Sequence, residues 1–298
     1  MITVILMAYG SPTRMEDVLP YLEGIYEGKP VPEYALKENT EKYAMANGVS
    51  PSNAIIDRIV EKLQKELSGS GEFEVILGNK HWKPTLRDAL EKAKESGSEK
   101  IIAIPLFPFQ STNVRNSYLE PSVEAMKEMS FEADISFVNG FDLNVLSGVW
   151  ANLMKRYPID EETAVLFDAH SLPLFRGTES EYDGDFRKTS ELIAKKLGLK
   201  EYFVGYQSRG KYGKSWLEPS VYEILDKIKA GGFRDVLAVP IGFIYEHLEI
   251  LYDLDHEFGG KVRDNGLIYV RSELPNDSGQ MVSLLQQHIL REAGIVNE

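Results

Sequence analysis

Val-Ile-Leu-Met-Ala-Tyr-Gly-Ser-Pro at residues 4–12 and Ala-Val-Leu-Phe-Asp-Ala-His-Ser-Leu-Pro at residues 164–173 are two similar stretches of a chain of 298 residues. Each is a short apolar run followed by a turn, which is typical of a buried strand in a parallel sheet. A second pair repeats the similarity, Ile-Ile-Ala-Ile-Pro-Leu-Phe-Pro-Phe at 101–109 and Val-Leu-Ala-Val-Pro-Ile-Gly-Phe-Ile at 236–244. The sequence therefore predicts two halves of similar structure.

Helical patterns alternate with short apolar runs along the chain, which is typical of βαβ units and parallel sheets. The pattern predicts strands at 2–7, 73–77, 100–105, 164–167, 202–204 and 235–240. It predicts helices at 55–67, 85–94, 185–197, 219–230 and 281–291. We therefore predict an α/β fold with two similar domains, residues 1–140 and 141–298, and a last helix that packs on either of them.

The composition argues against several classes of protein. Hydrophobic residues make up 43% of the chain, enough for a large core, but no run of 18 apolar residues predicts a transmembrane segment. The net charge of −13 argues against nucleic-acid binding. The chain has no cysteine, which excludes disulfides, thiolate metal sites and cysteine-ligated iron–sulfur clusters. Dinucleotide-binding and P-loop glycine motifs are absent from the sequence, and we expect a cytoplasmic location.

Unusual residues follow three of the predicted strands. Tyr9 follows the first strand, His170 follows the fourth, and the stretch 242–249 follows the last. Because ligands of open parallel sheets bind at the carboxyl ends of the strands, these residues would meet in a cleft between the halves. His81 follows another strand and would lie near the same cleft. A lone histidine at a strand end is more often structural than functional, so His170 by itself is compatible with a structural and with a functional role.

The stretch 246–257 carries an acidic pattern. If it is helical from about Glu246, then Glu249, Asp253, His256 and Glu257 fall on one face. Carboxylates four residues apart repel each other by roughly a few tenths of a kcal/mol, and a bound cation would reverse that effect. Oxygen and imidazole ligands suit a hard or borderline divalent ion. The alternative is a solvated charged face on an ordinary amphipathic helix.

Several motifs in order along nearly the whole chain together resemble the ferrochelatase family. They are Met-Ala-Tyr-Gly-Ser-Pro at 7–12, Gly-Val-Ser-Pro at 48–51, Gly-Asn-Lys-His at 78–81, Ala-His-Ser-Leu-Pro at 169–173, Val-Gly-Tyr-Gln-Ser at 204–208, Trp-Leu-Glu-Pro at 216–219, Pro-Ile-Gly-Phe at 240–243 and His-Leu-Glu-Ile-Leu-Tyr-Asp at 247–253. The resemblance implies a chelatase-type fold of two Rossmann-like domains with parallel sheets and a porphyrin cleft between them. It also implies a lyase that inserts Fe²⁺ into a porphyrin in haem biosynthesis.

The resemblance implies roles for individual residues. His170 matches the family's essential histidine, a proton acceptor or metal ligand, and Glu249 matches its partner carboxylate. Asp253 and Glu257 match an acidic line that leads the metal toward the site, and we count His81 among the expected metal ligands.

The resemblance also bears on the substrate. Tyr9 occupies the position that marks the coproporphyrin III branch of the family, where the tyrosine can approach the metal axially. Porphyrins are flat apolar discs edged with propionates, so aromatic walls and cationic rims suit them. The expected porphyrin-binding residues are Tyr9, Lys29, Lys42, Tyr43, Ser50 and Tyr118. At Lys29 the sequence differs from the coproporphyrin III branch, which often carries an arginine pair at that position.

Three alternatives remain at this stage: a protoporphyrin IX ferrochelatase, a cobalt chelatase of another tetrapyrrole, and a non-catalytic porphyrin or haem carrier. A carrier needs aromatic walls but no His–Glu pair. For the resembled enzyme we expect ferrous iron as a substrate, no tightly bound cofactor and no iron–sulfur cluster. We further expect a monomer that passes haem to a transient partner.

Overall fold

The computed structural model describes residues 1–46, 48–174, 180–209 and 215–296. Strands within these ranges form two separate four-stranded sheets. The strands of the first sheet are β1 (Ile2–Ala8), β2 (Phe73–Asn79), β3 (Lys100–Pro105) and β4 (Asp134–Phe137). Those of the second are β5 (Thr163–His170), β6 (Phe203–Gln207), β7 (Asp235–Val239) and β8 (Ile268–Arg271).

The two sheets share one topology. Their strand orders are β2-β1-β3-β4 and β6-β5-β7-β8, and every pairing is parallel. In both sheets the first strand of the half lies in the interior, flanked by the second and third. The predicted α/β fold with two similar parallel-sheet units is therefore confirmed. The division of the chain at residue 140 stays a prediction.

Helices connect the strands and cover the sheets. In the first half they are α1 (Val18–Ile25), α2 (Glu33–Met45), α3 (Ser52–Leu67), α4 (Leu86–Glu95) and α5 (Thr112–Glu128). Later in the chain come α6 (Leu143–Met154), α7 (Ser180–Leu197), α8 (Val221–Ala230), a π-helix (Ile250–Phe258), α9 (Gly259–Asp264) and α10 (Gly279–Glu292). Within the described ranges, no helix has the length and apolar character needed to cross a membrane.

Capping explains where two predicted helices begin. Thr85 precedes α4 as an N-cap that accepts from the backbone of Asp88 while the Asp88 side chain accepts in return. Ser220 and Glu223 form the same capping box at α8, so the helix predicted to start at Pro219 begins two residues later. The boundaries of α7 and β6 also differ from the prediction, since α7 starts at Ser180 and β6 extends to Gln207.

The core is continuous between the halves. Large side chains such as Trp150, Phe167 and Phe186 are fully buried within it. The last helix, α10, packs against both α3 and α6, so it contacts the first half as well as the second. Beside its start, the Asp277 carboxylate accepts hydrogen bonds from Arg58 and Lys62 of α3. These contacts join the two halves on the side of α3.

The helix predicted from about Glu246 is wrong in its start and its type. Glu246 and His247 lie outside the helix, and the regular part, from Ile250, is a π-helix. The backbone N–H of Glu246 is already used, because it donates to the side chain of Asn276. A π-helix has about 4.4 residues per turn, so residues four apart still lie near one face. The spacing of Asp253 and Glu257 along one face is therefore kept.

Candidate active site

A cleft of about 580 Å³ lies at the carboxyl ends of the strands of both sheets. Tyr9, Ser50 and Tyr118 are part of its wall in the first half. His170 and Glu249 are part of its wall in the second half. The structure thus brings together residues that stand up to 240 positions apart in the sequence, as expected for ligand sites of parallel sheets.

His170 is the last residue of β5, and hydrogen bonds fix its orientation. Its Nδ1 lies 2.6 Å from the carbonyl oxygen of Ser171. Because a carbonyl oxygen can only accept, Nδ1 must carry a proton, and Nε2 of the neutral imidazole is left with a free lone pair. The Nε2 atom lies 3.9 Å from a carboxylate oxygen of Glu249. The backbone carbonyl of His170 accepts from the Tyr182 hydroxyl at 3.1 Å, which fixes the strand end itself.

Glu249 lies between two imidazoles. The second belongs to His247, whose Nε2 is 3.7 Å from the same carboxylate oxygen and whose Nδ1 is 3.0 Å from the Tyr245 carbonyl. The Glu249 side chain is 49% exposed, toward the open cleft. Its partial burial raises the pKa, but His247, His170 and the charge of Lys42 prevail and lower the pKa of Glu249 to about 2. Glu249 is therefore a carboxylate throughout the physiological pH range.

Asp253 lies deeper, beside cations and donors of both halves. The Ser208 hydroxyl donates to one of its oxygens, and the Lys42 ammonium lies 3.8 Å from the other. Burial raises the pKa of Asp253 against the effect of Ser208 and Lys42. The ammonium of Lys42 also pairs with Glu38 at 3.3 Å, so a lysine already supplies positive charge beside this carboxylate. In the portion of the chain that the structure describes, no cluster of three or more His, Asp or Glu residues is arranged to hold a metal ion.

The wall of the first half is largely aromatic. Tyr9 projects from the end of β1 with 46% of its surface exposed, and burial of its hydroxyl together with the charge of Glu249 raises its pKa to about 12. Tyr43 is buried, with its hydroxyl 3.1 Å from the Ser11 hydroxyl. Tyr118 and Ser50 are also buried, and the Ser50 hydroxyl lies 2.9 Å from that of Ser52. These side chains present a rigid surface to a flat ligand.

Three of the predicted site residues are not among the described residues that line the cleft: Lys29, His81 and Glu257. The ring of His81 packs at 4.5 Å from that of Tyr9 and borders a separate, smaller cavity. Burial and the charge of Lys80 lower the pKa of His81. Lys29 and Glu257 are exposed.

Two polar residues that line the cleft, His247 and Lys80, were not among the individually predicted site residues, although His247 belongs to the stretch 242–249 expected there. The Lys80 ammonium lies 5.7 Å from the centre of the Tyr118 ring, and burial lowers its pKa. Lys80 directly precedes His81 just beyond the end of β2, and its place at a strand end was the signal that could have identified it. His247 was not named individually, because a helix was expected there.

Asp168 lies on β5, two residues before His170. It is fully buried on β5, and neither carboxylate oxygen has a hydrogen-bond partner among the described residues. Burial raises the pKa of Asp168 well above its ordinary value, although Arg271 opposes the shift. Asp168 therefore does not orient His170 through a hydrogen bond.

Comparison with known proteins agrees with this arrangement. The sequence profile of the ferrochelatase family matches residues 1–293. A ferrochelatase of Thermoplasma acidophilum is 42% identical over 286 residues, which cover 95% of this chain and 89% of that protein. A coproporphyrin III ferrochelatase of Halalkalibacterium halodurans is 32% identical over 293 residues, which cover 95% and 94%. Among solved structures, SirB of Bacillus subtilis with Fe³⁺ aligns over 100% of this chain and 99% of its own chain, with a TM-score of 0.58. The sequence identity is 13%, so this similarity shows the shared fold alone. The chain thus belongs to the ferrochelatase family, and it is a metal-inserting lyase of haem biosynthesis.

Proposed function

We propose that this enzyme inserts Fe²⁺ into coproporphyrin III, with His170 and Glu249 as its catalytic pair. One observation carries the proposal: Nδ1 of His170 is committed to the Ser171 carbonyl, which leaves Nε2 as a free acceptor facing the Glu249 carboxylate in the cleft. Insertion of Fe²⁺ releases two pyrrole protons, so the enzyme needs two acceptors close together. The free Nε2 atom of His170 and the Glu249 carboxylate are placed to take them up or pass them on.

The proposed mechanism divides the work between the two walls. A cleft that binds a bent macrocycle better than a flat one favours the geometry in which the pyrrole lone pairs face the incoming ion. The rigid aromatic wall with Tyr9 and Tyr43 supports one side of the ring. On the other side, Nε2 of His170 accepts one proton, and Glu249 stabilises the resulting positive charge or relays the second proton. His247 supports Glu249 from its other side.

Metal delivery is assigned to Asp253, with Glu257 further along the π-helix and His81 as an outlying predicted ligand. The charge of Lys42 beside Asp253 offsets part of the repulsion between this carboxylate and Glu249. Weak oxygen ligands suit delivery, since they release the ion to the macrocycle.

Two features support coproporphyrin III, which carries four propionates, over protoporphyrin IX, which carries two. Tyr9 stands exposed in the cleft at the position that resembles the coproporphyrin branch. Ser50, Tyr118 and the additional cation Lys80 line the first-half wall and can meet propionates, each charge-assisted contact contributing on the order of 1.5–3 kcal/mol. Lys29 remains a predicted rim residue at the surface.

The test is an anaerobic assay of Fe²⁺ insertion into coproporphyrin III and protoporphyrin IX with the wild type, His170→Ala and Glu249→Gln. We expect a higher kcat/KM for coproporphyrin III, no turnover with His170→Ala, and a loss of at least about 10²-fold in kcat with Glu249→Gln. Both variants should still bind porphyrin, which fluorescence quenching measures.

Each part of the proposal can fail separately. An equal or higher kcat/KM for protoporphyrin IX overturns the substrate and keeps the reaction. Turnover of His170→Ala near the wild-type rate overturns the catalytic pair. Tight porphyrin binding with no metal insertion by the wild type would favour a carrier, and insertion of Co²⁺ into sirohydrochlorin alone would favour a cobalt chelatase. The absence of a resident cofactor, the monomeric state and the cytoplasmic location stay predictions.

A further inference from the structure

One arginine spans the segment that carries Glu249. Arg271 ends β8, and its side chain is only 13% exposed. Its Nε and Nη2 atoms donate to the two carboxylate oxygens of Asp255 at 2.7 and 3.0 Å, and Nη1 donates to Glu246 at 2.8 Å. A planar guanidinium can hold two carboxylates at fixed angles, which a lysine cannot do. Arg271 therefore joins position 246 to position 255, on either side of Glu249.

The backbone just before Glu249 is fixed from a second direction. The N–H of Glu246 donates to the side-chain oxygen of Asn276 at 2.8 Å, and the N–H of Asn276 donates to the Ile244 carbonyl at 2.7 Å. Asn276 has a φ of +49°, in the left-handed region that non-glycine residues seldom occupy. Such a conformation persists only where surrounding contacts determine it. Main chain and side chain of Glu246 are thus both held.

Among the described residues, the Glu249 carboxylate has two imidazoles as its nearest ionic partners, and both are at long range. Its nearest imidazole nitrogens lie at 3.7 and 3.9 Å, beyond the usual range of a hydrogen bond. About half of its side chain is open to the cleft. The position of the carboxylate is therefore determined mainly by the backbone between residues 246 and 255.

We infer that Arg271 is a positioning residue for metal insertion. Its guanidinium links Glu246 to Asp255 and so holds Glu249, which lies between them in the chain, opposite His170. The inference rests on the catalytic role proposed for Glu249. Arg271 does not line the cleft itself, so it acts through Glu249 and not on the porphyrin.

The experiment compares full-length variants in the Fe²⁺ insertion assay. Arg271→Met should lower kcat by about 30- to 100-fold, the size of effect that a displacement of about 1 Å produces. The KM for porphyrin should stay within about threefold, since many of the residues that line the cleft belong to the first half. Arg271→Lys keeps the positive charge but cannot hold two carboxylates at fixed angles, so its loss in kcat should be intermediate.

Arg263→Met is the matched control. Arg263 donates to the backbone carbonyl of Asp255 at 3.2 Å and lies over the Tyr269 ring at 5.6 Å, but it makes no bond to Glu246. This variant removes a guanidinium from the same region but leaves the Arg271 link between Glu246 and Asp255 intact. Its kcat should stay within about twofold of the wild type.

A double variant separates positioning from general damage. If Arg271 acts through Glu249, Arg271→Met should have no further effect on kcat in a Glu249→Gln background. Equal losses in both backgrounds would overturn the inference. If Arg271→Met does not fold, Glu246→Ala is the alternative, because it removes the hydrogen bond between Arg271 and position 246 while Arg271 and Asp255 stay paired. We expect this variant to lose about tenfold in kcat.

The remaining outcomes distinguish this inference from the proposed function. Glu249→Gln at the wild-type rate would refute the catalytic role of Glu249, and the inference with it. An impaired Glu249→Gln beside Arg271→Met and Glu246→Ala at wild-type rates would refute the inference alone.

Discussion

A methyl group added at Gly242 should separate the two segments that carry the catalytic pair. Gly242 follows β7, and its N–H donates to the Asp168 carbonyl at 3.1 Å. A Cβ atom at this position would lie 2.6 Å from the Cβ of Ala169 and 2.7 Å from its Cα. Non-bonded carbon atoms prefer roughly 3.5–4.0 Å, so the two segments must move apart by about 1 Å. Ala169 directly precedes His170, and the displacement therefore reaches the proposed proton acceptor.

The magnitude follows from the same distances. Overpacking of this kind costs about 1–3 kcal/mol of unfolding free energy, and the contact here is with backbone, which cannot rotate away. A shift of about 1 Å at a catalytic group costs on the order of 10²-fold in rate. We expect Gly242→Ala to lose stability by the first amount and kcat by the second, with a smaller change in porphyrin affinity.

Gly148→Ala provides the comparison. Gly148 lies within α6, and a Cβ atom there meets no other atom within 4 Å. The substitution should raise the free energy of unfolding by about 0.5–1 kcal/mol and leave kcat unchanged. Urea unfolding measures stability, and anaerobic Fe²⁺ insertion at saturating porphyrin measures kcat. If Gly242→Ala turns over within threefold of the wild type, the close packing of these segments does not position His170.

Two further predictions concern charged residues. Hydrogen bonds from Arg58 and Lys62 lower the pKa of Asp277 to about 2, so its contribution to stability is complete above about pH 4 and is lost as the pH falls toward 2. Asp277→Asn should therefore lower the unfolding free energy by about 1 kcal/mol at pH 7, and urea curves that fail to converge with the wild type near pH 2 would contradict this. Asp253→Asn with Glu257→Gln should raise the apparent KM for Fe²⁺ more than that for porphyrin, whereas equal changes in steady-state kinetics would indicate general damage.

The architecture could be predicted because it depends on periodicity. The apolar runs at β1, β3, β5 and β7 are strands at nearly the predicted positions, and the apolar period of α3 buries the expected face. Elements with weak apolar patterns were missed. They include α2, which buries only two residues, α5, which contains a proline, and the short strands β4 and β8. Such elements depend on tertiary packing, which local periodicity does not record.

The site could be predicted in part, for a different reason. His170 and Glu249 follow strands whose carboxyl ends meet, so the topology brings them together. The orientation of Glu249 could not be predicted, because it depends on Arg271 and Asn276 and on a helix of unusual type. The side on which Lys80 and His81 point depends on the end of β2, which sequence patterns locate only to within a few residues.

The internal repeat explains why the site has two unlike walls. The aligned stretches place Tyr9 of the first half at the position that His170 occupies in the second, each directly after an alanine at a strand end. In the same way, Phe107 lies two residues after Pro105, as Gly242 lies two residues after Pro240, and both line the cleft. Related backbones thus present an aromatic hydroxyl from one half and an imidazole from the other. In the mechanism proposed above, a flat ligand between them would meet a weak acid on one side and a base on the other, so two similar strand ends would hold the macrocycle and deprotonate it from one side.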